Sequence, residues 1–336
     1  MSDKDLHPIV VLGEVLCDLL PPAPGVAIEQ AITLTPALGG APANVAVQLA
    51  RLGVPTAMIS AVGPDPLSAR MLSTLRAEGV DTSRIVMRDR DRLGLTLVAI
   101  DAAGERTFFP WREGAADQTL RSDEIDTGLI ARARCLVRGT VSMRSEKVRD
   151  ATRHAVAAAE EARVPVVLDV NLRRKMFAAE AELLAVARES VQHAQVVKAT
   201  REEAAALLEA PDSDDDELLA RLIAQGPSLA LLTLGEEGAK AATRDASAFA
   251  PAPRVEVVDA TGAGDAFVGA MTAHLFGQHS PYSLDNLNGP RLQALLHVAN
   301  AAGAAACRRL GATTGMLTAQ QLPLSEPHSD DGTRVL

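Results

Sequence analysis

The chain has 336 residues, 47% hydrophobic and 23% charged, which is ordinary for one large globular domain or two smaller ones. A formal charge of −10 argues against a nucleic-acid or anionic-membrane partner, although a local nest of backbone N–H groups can hold phosphate whatever the net charge. The odd count of 3 scattered cysteines, Cys17, Cys135 and Cys307, has no CxxC pair and argues against a disulfide framework; each reads as a buried small hydrophobe.

Met1–Pro8 is polar, mixed in charge and free of a signal-peptide pattern, and no run approaches the roughly 20 apolar residues of a membrane span. A cytoplasmic protein is expected. Ile9–Leu20 is a strand-like run interrupted by Gly13-Glu14 and Asp18, followed by a turn at Pro21–Pro24. Ala43–Leu52 has helical spacing and stops at Gly53-Val54-Pro55. A strand at Ala57–Val62 and a helix at Ser68–Glu78 follow. Leu93–Asp101 and Arg106–Trp111 flank a glycine-containing loop and predict a β-hairpin.

The second half alternates helices with short apolar strands. Helices are predicted at 148–162, 180–193 and 217–225, and strands at 165–170, 194–199 and 229–234. This alternation implies βαβ units and a parallel sheet covered on both faces. Two Ala-rich helices, Ala263–Phe276 and Arg291–Arg309, complete the core. The acidic run Asp212–Glu217 reads as a solvated loop entering a helix.

Val255–Gly269, VEVVDATGAGDAFVG, carries the most chemistry. A predicted strand, VEVV, runs into Gly262-Ala263-Gly264 and then an apolar helix. Small residues there expose backbone N–H groups at a helix N-terminus, which is an anion site. Asp265 lies in the first helical turn. It has two readings of about equal weight: a carboxylate stabilised by the helix dipole, or a general base beside a phosphate site. The segment is neither a Walker A loop nor a dinucleotide fingerprint, because Phe267 stands where the third glycine would be. Farther upstream, Gly39-Gly40 allows close backbone approach, and Asn44 in the next helical turn can both donate to and accept from a hydroxyl.

DATGAGDAFVGA closely resembles the C-terminal signature of the ribokinase-like (PfkB) carbohydrate kinases, and GGAPANVAVQLARLG, Gly39–Gly53, resembles their N-terminal motif in the wording most typical of fructokinases. The resemblance covers about Ile9–Leu317. It implies an α/β fold: a three-layer sandwich around a central, mostly parallel sheet, in one domain over 1–336, with a small β-sheet lid from segments about 20–36 and 93–114. It implies ATP-dependent phosphorylation of a small sugar, with Gly262, Ala263 and Gly264 as the anion hole, Asp265 as the base and Arg173 at the phosphates. Asp18, Gly39, Gly40, Asn44, Arg112 (in Trp111-Arg112) and Asn171 (in Asp169-Val-Asn-Leu-Arg) would hold the sugar. Lys198, Thr200, Glu203, Thr233, Gly235, Gly238 and Asn300 would serve the nucleotide. Glu203 would organise water around Mg²⁺, Asp259 would hold K⁺ as in potassium-activated relatives, and the lid would form a homodimer.

The chain departs from the family's wording in three places. Thr200 replaces the asparagine of the Asn-x-x-Glu motif, Gly63-Pro-Asp65-Pro replaces GxDxxG with Ala69 before Arg70, and Ala260 replaces a frequent threonine. The fructose reading has rivals in 2-keto-3-deoxygluconate, ribose and a nucleoside. A keto acid needs a cation for its carboxylate, for which Arg112 is the candidate. A nucleoside calls for aromatic surfaces, and only 2% of this chain is aromatic. A non-catalytic sugar-binding regulator would have lost the base or the glycine turn, and an NAD-dependent oxidoreductase would carry GxGxxG.

Overall fold

The computed structural model describes residues 7–23, 25–100, 106–277, 280 and 283–322. The Ile9–Leu20 run divides into β1 (Ile9–Leu12) and β2 (Leu16–Leu20), which enter different sheets. At the break, Gly13 lies against α1, where an added Cβ would sit 2.3 Å from Pro42 Cγ. Then come β3 (Thr35–Gly39), α1 (Ala41–Arg51), β4 (Thr56–Val62) and α2 (Pro66–Ala77). Asp65 caps α2, accepting from the Ser68 amide at 2.9 Å and from the Leu93 amide at 3.0 Å, so the altered Gly63–Pro66 segment still ties the helix to the next strands. Next are β5 (Asp81–Met87), β6 (Gly94–Ile100) and β7 (Arg106–Trp111). The last two form the predicted antiparallel hairpin, whose Asp101–Gly104 loop lies outside the described residues.

The alternating half runs α3 (Thr127–Ala131), β8 (Leu136–Gly139), α4 (Glu146–Glu161), β9 (Val166–Asp169), α5 (Glu180–Gln192) and β10 (Val196–Thr200). It continues through α6 (Arg201–Leu208), α7 (Asp215–Ile223), β11 (Leu229–Thr233), β12 (Ala239–Ala242) and β13 (Ser247–Ala250), then closes with α8 (Ala263–Phe276) and α9 (Gly289–Ala306). Among the described residues, nine strands order as β13-β12-β11-β10-β9-β8-β1-β4-β5. The pairings are parallel except β11–β12 and β12–β13. A smaller sheet orders as β3-β2-β6-β7.

Alternation along the central strands explains the layering. Ile9 and Val11 join a core with α1, α2, α8 and α9, whereas Val10 and Leu12 join a second core with α3 to α7. Both faces are thus covered, as a parallel sheet requires.

One predicted strand is not formed. Val255–Val258 has no strand pairing, and Val257 and Val258 are 61% and 41% exposed. The Val258 amide instead donates to the Cys307 carbonyl at 2.8 Å, so this segment runs past the end of α9 and not along the sheet. No helix among the described residues is long and apolar enough to cross a membrane.

Candidate active site

The polar residues singled out in the sequence gather where β1, β9, β10 and β11 end. These are the carboxyl ends of parallel strands, where open α/β sheets form their crevices. At the centre is Asp265, the third residue of α8 and 9% exposed. Asn44 of α1 donates its Nδ2 to Asp265 Oδ2 at 2.8 Å. Burial pushes the Asp265 carboxyl up to about 6; the Asn44 hydrogen bond, Arg173 and Lys198 resist the rise, and the Asp169 charge adds to it. A carboxylate so poised can take a proton from a hydroxyl near neutral pH.

The turn before Asp265 is built for close approach. Gly262 has φ of 79° and serves as N-cap; a Cβ on it would meet the Ala312 carbonyl oxygen at 2.2 Å. Only glycine fits there. The amides of Gly264 and Asp265 have no backbone acceptor among the described residues. They are the unsatisfied donors of a helix start, an arrangement suited to an anion.

Lys198 of β10 reaches the same turn. Its Nζ would lie 3.3 Å from a Cβ on Gly264 and is 3.1 Å from Asp169 Oδ1. Burial alone would lower its pKa, but the carboxylates of Asp169, Glu203 and Asp265 outweigh it and hold the ammonium above the ordinary lysine value. Arg173, exposed in the loop after β9, adds positive charge felt at Asp265. Glu203 is fully engaged: its two oxygens accept from the Leu172 amide at 2.7 Å and the Thr200 amide at 2.9 Å. The Thr200 hydroxyl accepts in return from the Glu203 amide at 3.2 Å, completing a capping box on α6.

On the other side of Asn44, the glycine pair connects β3 to α1. A Cβ on Gly39 would sit 2.4 Å from Asp18 Oδ1, so that carboxylate lies flat against the backbone. Gly40 packs on the Glu14 carbonyl. Arg112, 3% exposed, is ion-paired to Asp117 and donates to Met176 Sδ at 3.0 Å. Burial would lower its pKa, but Asp117, Glu14 and Asp18 together raise it. Asn171 is buried with φ of 40°, and Thr140 donates to the neighbouring Val170 carbonyl at 2.7 Å. Glu14 Oε2, Asn44 Oδ1, Arg112 Nε, Asp117 Oδ1 and Gln118 Oε1 are all buried without a partner among the described residues. Buried polar atoms left unmatched call for an explanation, and a polar ligand would supply one.

The remaining residues form a second group. Thr200 and Thr233 are register neighbours on β10 and β11. Gly235 and Gly238 bracket the turn between β11 and β12, and a Cβ on Gly238 would strike the Ala250 carbonyl oxygen at 2.2 Å. Asn300 of α9 donates to the Ala250 and Pro251 carbonyls at 2.8 and 3.3 Å, so its amide nitrogen serves that same stretch of backbone. Asp259 is fully buried and accepts from the Thr261 and Gly311 amides at 2.9 and 2.5 Å.

Three residues in this constellation were not singled out from sequence: Glu14, Asp117 and Asp169. Glu14 interrupts an apolar strand run, and Asp169 heads the Asp169-Val-Asn-Leu-Arg segment; both signals were visible. Asp117 lies in a 3-10 turn five residues after Arg112, and no motif or periodicity marks it.

Known proteins resemble this chain over nearly its whole length. The pfkB family carbohydrate kinase model matches residues 6–319. Fructokinase-1 of Oryza sativa subsp. japonica is 34% identical over 310 residues, 92% of this chain and 94% of the relative. The fructokinase of Xylella fastidiosa, solved with bound ATP, superimposes with a TM-score of 0.84 at 29% identity, covering 94% of this chain and 96% of that one. A double mutant of the Vibrio cholerae O395 fructokinase, solved with fructose, ADP and potassium ion, gives 0.82 at 29% identity, with 93% and 96% covered. A motif-bearing crevice, a family match over nearly the whole chain and relatives of equal length lead to one conclusion: the chain belongs to the pfkB family of carbohydrate kinases.

Proposed function

We propose that the chain is a fructokinase, transferring the γ-phosphoryl group of ATP to the primary hydroxyl of fructose to give fructose 6-phosphate. The observation that carries this reading is the buried Asp265–Asn44 pair beside the open amides of the glycine turn. Asp265 takes the hydroxyl proton as the oxygen attacks the γ-phosphorus. The Gly262–Gly264 turn, Lys198 and Arg173 stabilise charge on the transferred group, so catalysis rests on positioning and electrostatics.

The sugar side favours a neutral substrate. Arg112 was the candidate cation for a keto-acid carboxylate, but Asp117 is paired to it and Glu14 lies within its field. A keto-acid carboxylate brought into this group would join Asp117, Glu14 and Asp18 around one guanidinium. Fructose, by contrast, offers hydroxyls to Asp18, Asn44 and Asn171.

Mg²⁺ would neutralise the phosphates as transfer proceeds. Among the described residues no three acidic, histidine or cysteine side chains assemble into a ready metal site. That fits a magnesium ion held mainly by phosphate oxygens and water, with Glu203 fixing the loop that carries Arg173. K⁺ is proposed beside Asp259: the Thr261 hydroxyl is buried there without a partner among the described residues, an oxygen suited to a monovalent cation. The four-stranded sheet would act as a lid that excludes water. Phe109 and Trp111, 46% and 63% exposed on one face of β7, favour a homodimer contact there. Free thiols at Cys17, Cys135 and Cys307 suit a cytoplasmic setting.

The test is ADP release with Mg-ATP against fructose, 2-keto-3-deoxygluconate, ribose and adenosine, with K⁺ and with Na⁺. A kcat/KM for fructose at least about tenfold above the others is expected. Preference for the keto acid would overturn the substrate assignment and leave the phosphoryl-transfer chemistry standing.

A further inference from the structure

On the sheet face away from α8, a cleft of about 190 Å³ opens between α4 and α5. Arg138 of β8, 3% exposed, is among the residues that line it. Met143 and Val156 form part of its walls. Arg138 makes two hydrogen bonds, from Nη1 to Ser190 Oγ at 3.1 Å and from Nη2 to the Ser190 carbonyl at 3.4 Å. Its Nε is buried with no acceptor among the described residues. No carboxylate is paired with it there, and burial pushes its pKa down to about 10. An arginine carries five donors, and leaving a buried charged donor unmatched is costly.

The nearby acids are otherwise engaged. Glu189 of α5 receives Nε and Nη2 of Arg153 at 2.7 and 2.9 Å, and Glu160 of α4 meets His193 Nδ1 at 2.8 Å. Both contacts cross the mouth of the cleft from helix to helix. Their fields reach Arg138, but neither carboxylate hydrogen-bonds it, and its unmatched donor capacity is left to whatever enters. A guanidinium can match two oxygens of one planar or tetrahedral oxyanion.

We propose that the cleft between α4 and α5 binds a small oxyanion, a carboxylate or a phosphate group, on the Arg138 guanidinium. The volume admits inorganic phosphate or a carboxylate of a few carbons and falls below the roughly 300–1,000 Å³ of larger ligand sites. The site lies behind the strand whose end supports Asn171: β8 stops at Gly139, and Thr140 holds the Val170 carbonyl.

The test is thermal unfolding of the full chain with β,γ-methylene-ATP and Mg²⁺ saturating, so that the glycine turn is filled. Sodium phosphate and sodium acetate are titrated separately at constant ionic strength. A saturable rise in Tm with at least one anion is expected, and which anion gives it names the class. Arg138→Met, which removes the cation, should weaken the response by about tenfold or more, the loss of a hydrogen bond to a charged group. Ala157→Phe, at an exposed lining position on α4, should do the same by blocking the mouth while Arg138 stays. No saturable response to either anion, or an unchanged response in Ala157→Phe, would overturn the proposal.

Discussion

Arg112 and Arg138 are equally hidden, each 3% exposed, yet their surroundings differ. Around Arg112 the chain supplies its own acids, and the guanidinium is held more firmly charged than usual. Around Arg138 the only hydrogen-bond partner among the described residues is a serine; burial weakens the charge, and Glu189 and Glu160 oppose that only from the rim. A buried cation needs compensation from somewhere. In the first region the chain itself provides it and so leaves little for a charged ligand; in the second, compensation is left to a guest. Asp265 is a third case, a buried acid only partly compensated by Asn44, Arg173 and Lys198.

The largest expected effect comes from Asp265→Asn. Loss of a general base should lower kcat by about 10²–10⁴ with sugar KM nearly unchanged. The folded-state pKa is raised from 3.8 to about 6, so the folded chain binds this proton more tightly than the unfolded chain. The stability from this group is complete below about 4 and is lost as pH rises through about 6. Ionised Asp265 therefore costs roughly 3 kcal/mol at pH 8. Asp265→Asn should be more stable than wild type at pH 8 by up to that amount, with the gap closing toward pH 4. A variant with wild-type kcat, or one without a stability gain at pH 8, would remove Asp265 from this comparison.

Next in size is Asp117→Asn, which turns the Arg112 region into one like that of Arg138. Breaking a buried pair from one side should cost about 3–5 kcal/mol in urea unfolding. The freed guanidinium should also raise kcat/KM for 2-keto-3-deoxygluconate relative to fructose. If stability falls and the substrate ratio does not move, Arg112 is a structural cation and not a gate on substrate charge.

These contrasts were only partly legible in the sequence. The helix at Ala263–Phe276 has the predicted bounds, because its glycine cap and its long apolar run are local signals. β5 was missed: as an edge strand it reads DTSRIVM, mostly polar and exposed. β8 was missed because Arg138 interrupts a four-residue strand. Val255–Val258 misled in the opposite direction, since apolar residues alone do not provide a strand partner. In the site, motifs named Asn44 and Asp265 separately, but 221 residues separate them and nothing local shows that they touch. The compensation of Arg112 is local only for Asp117; Glu14 and Asp18 reach it from the first strands, far earlier in the chain. Charge balance in a buried cluster is a tertiary property, and composition cannot show it.

The smallest effect separates contact from support at the nucleotide side. The Thr200 hydroxyl is spent on the Glu203 amide, and Glu203 spends both oxygens on the Leu172 and Thr200 amides. Thr200→Ala removes one capping acceptor and should cost about 1 kcal/mol of stability. Glu203 keeps its bond to the Leu172 amide, so the Arg173 loop should hold and KM for ATP should change by less than about threefold, within the few tenths of a kcal/mol that a relaxed cap allows. A rise in KM of tenfold or more with stability unchanged would instead make Thr200 a direct ligand of the nucleotide. The capping box would then be a by-product of a binding residue, and the loop carrying Arg173 would owe its position to ATP and not to Glu203.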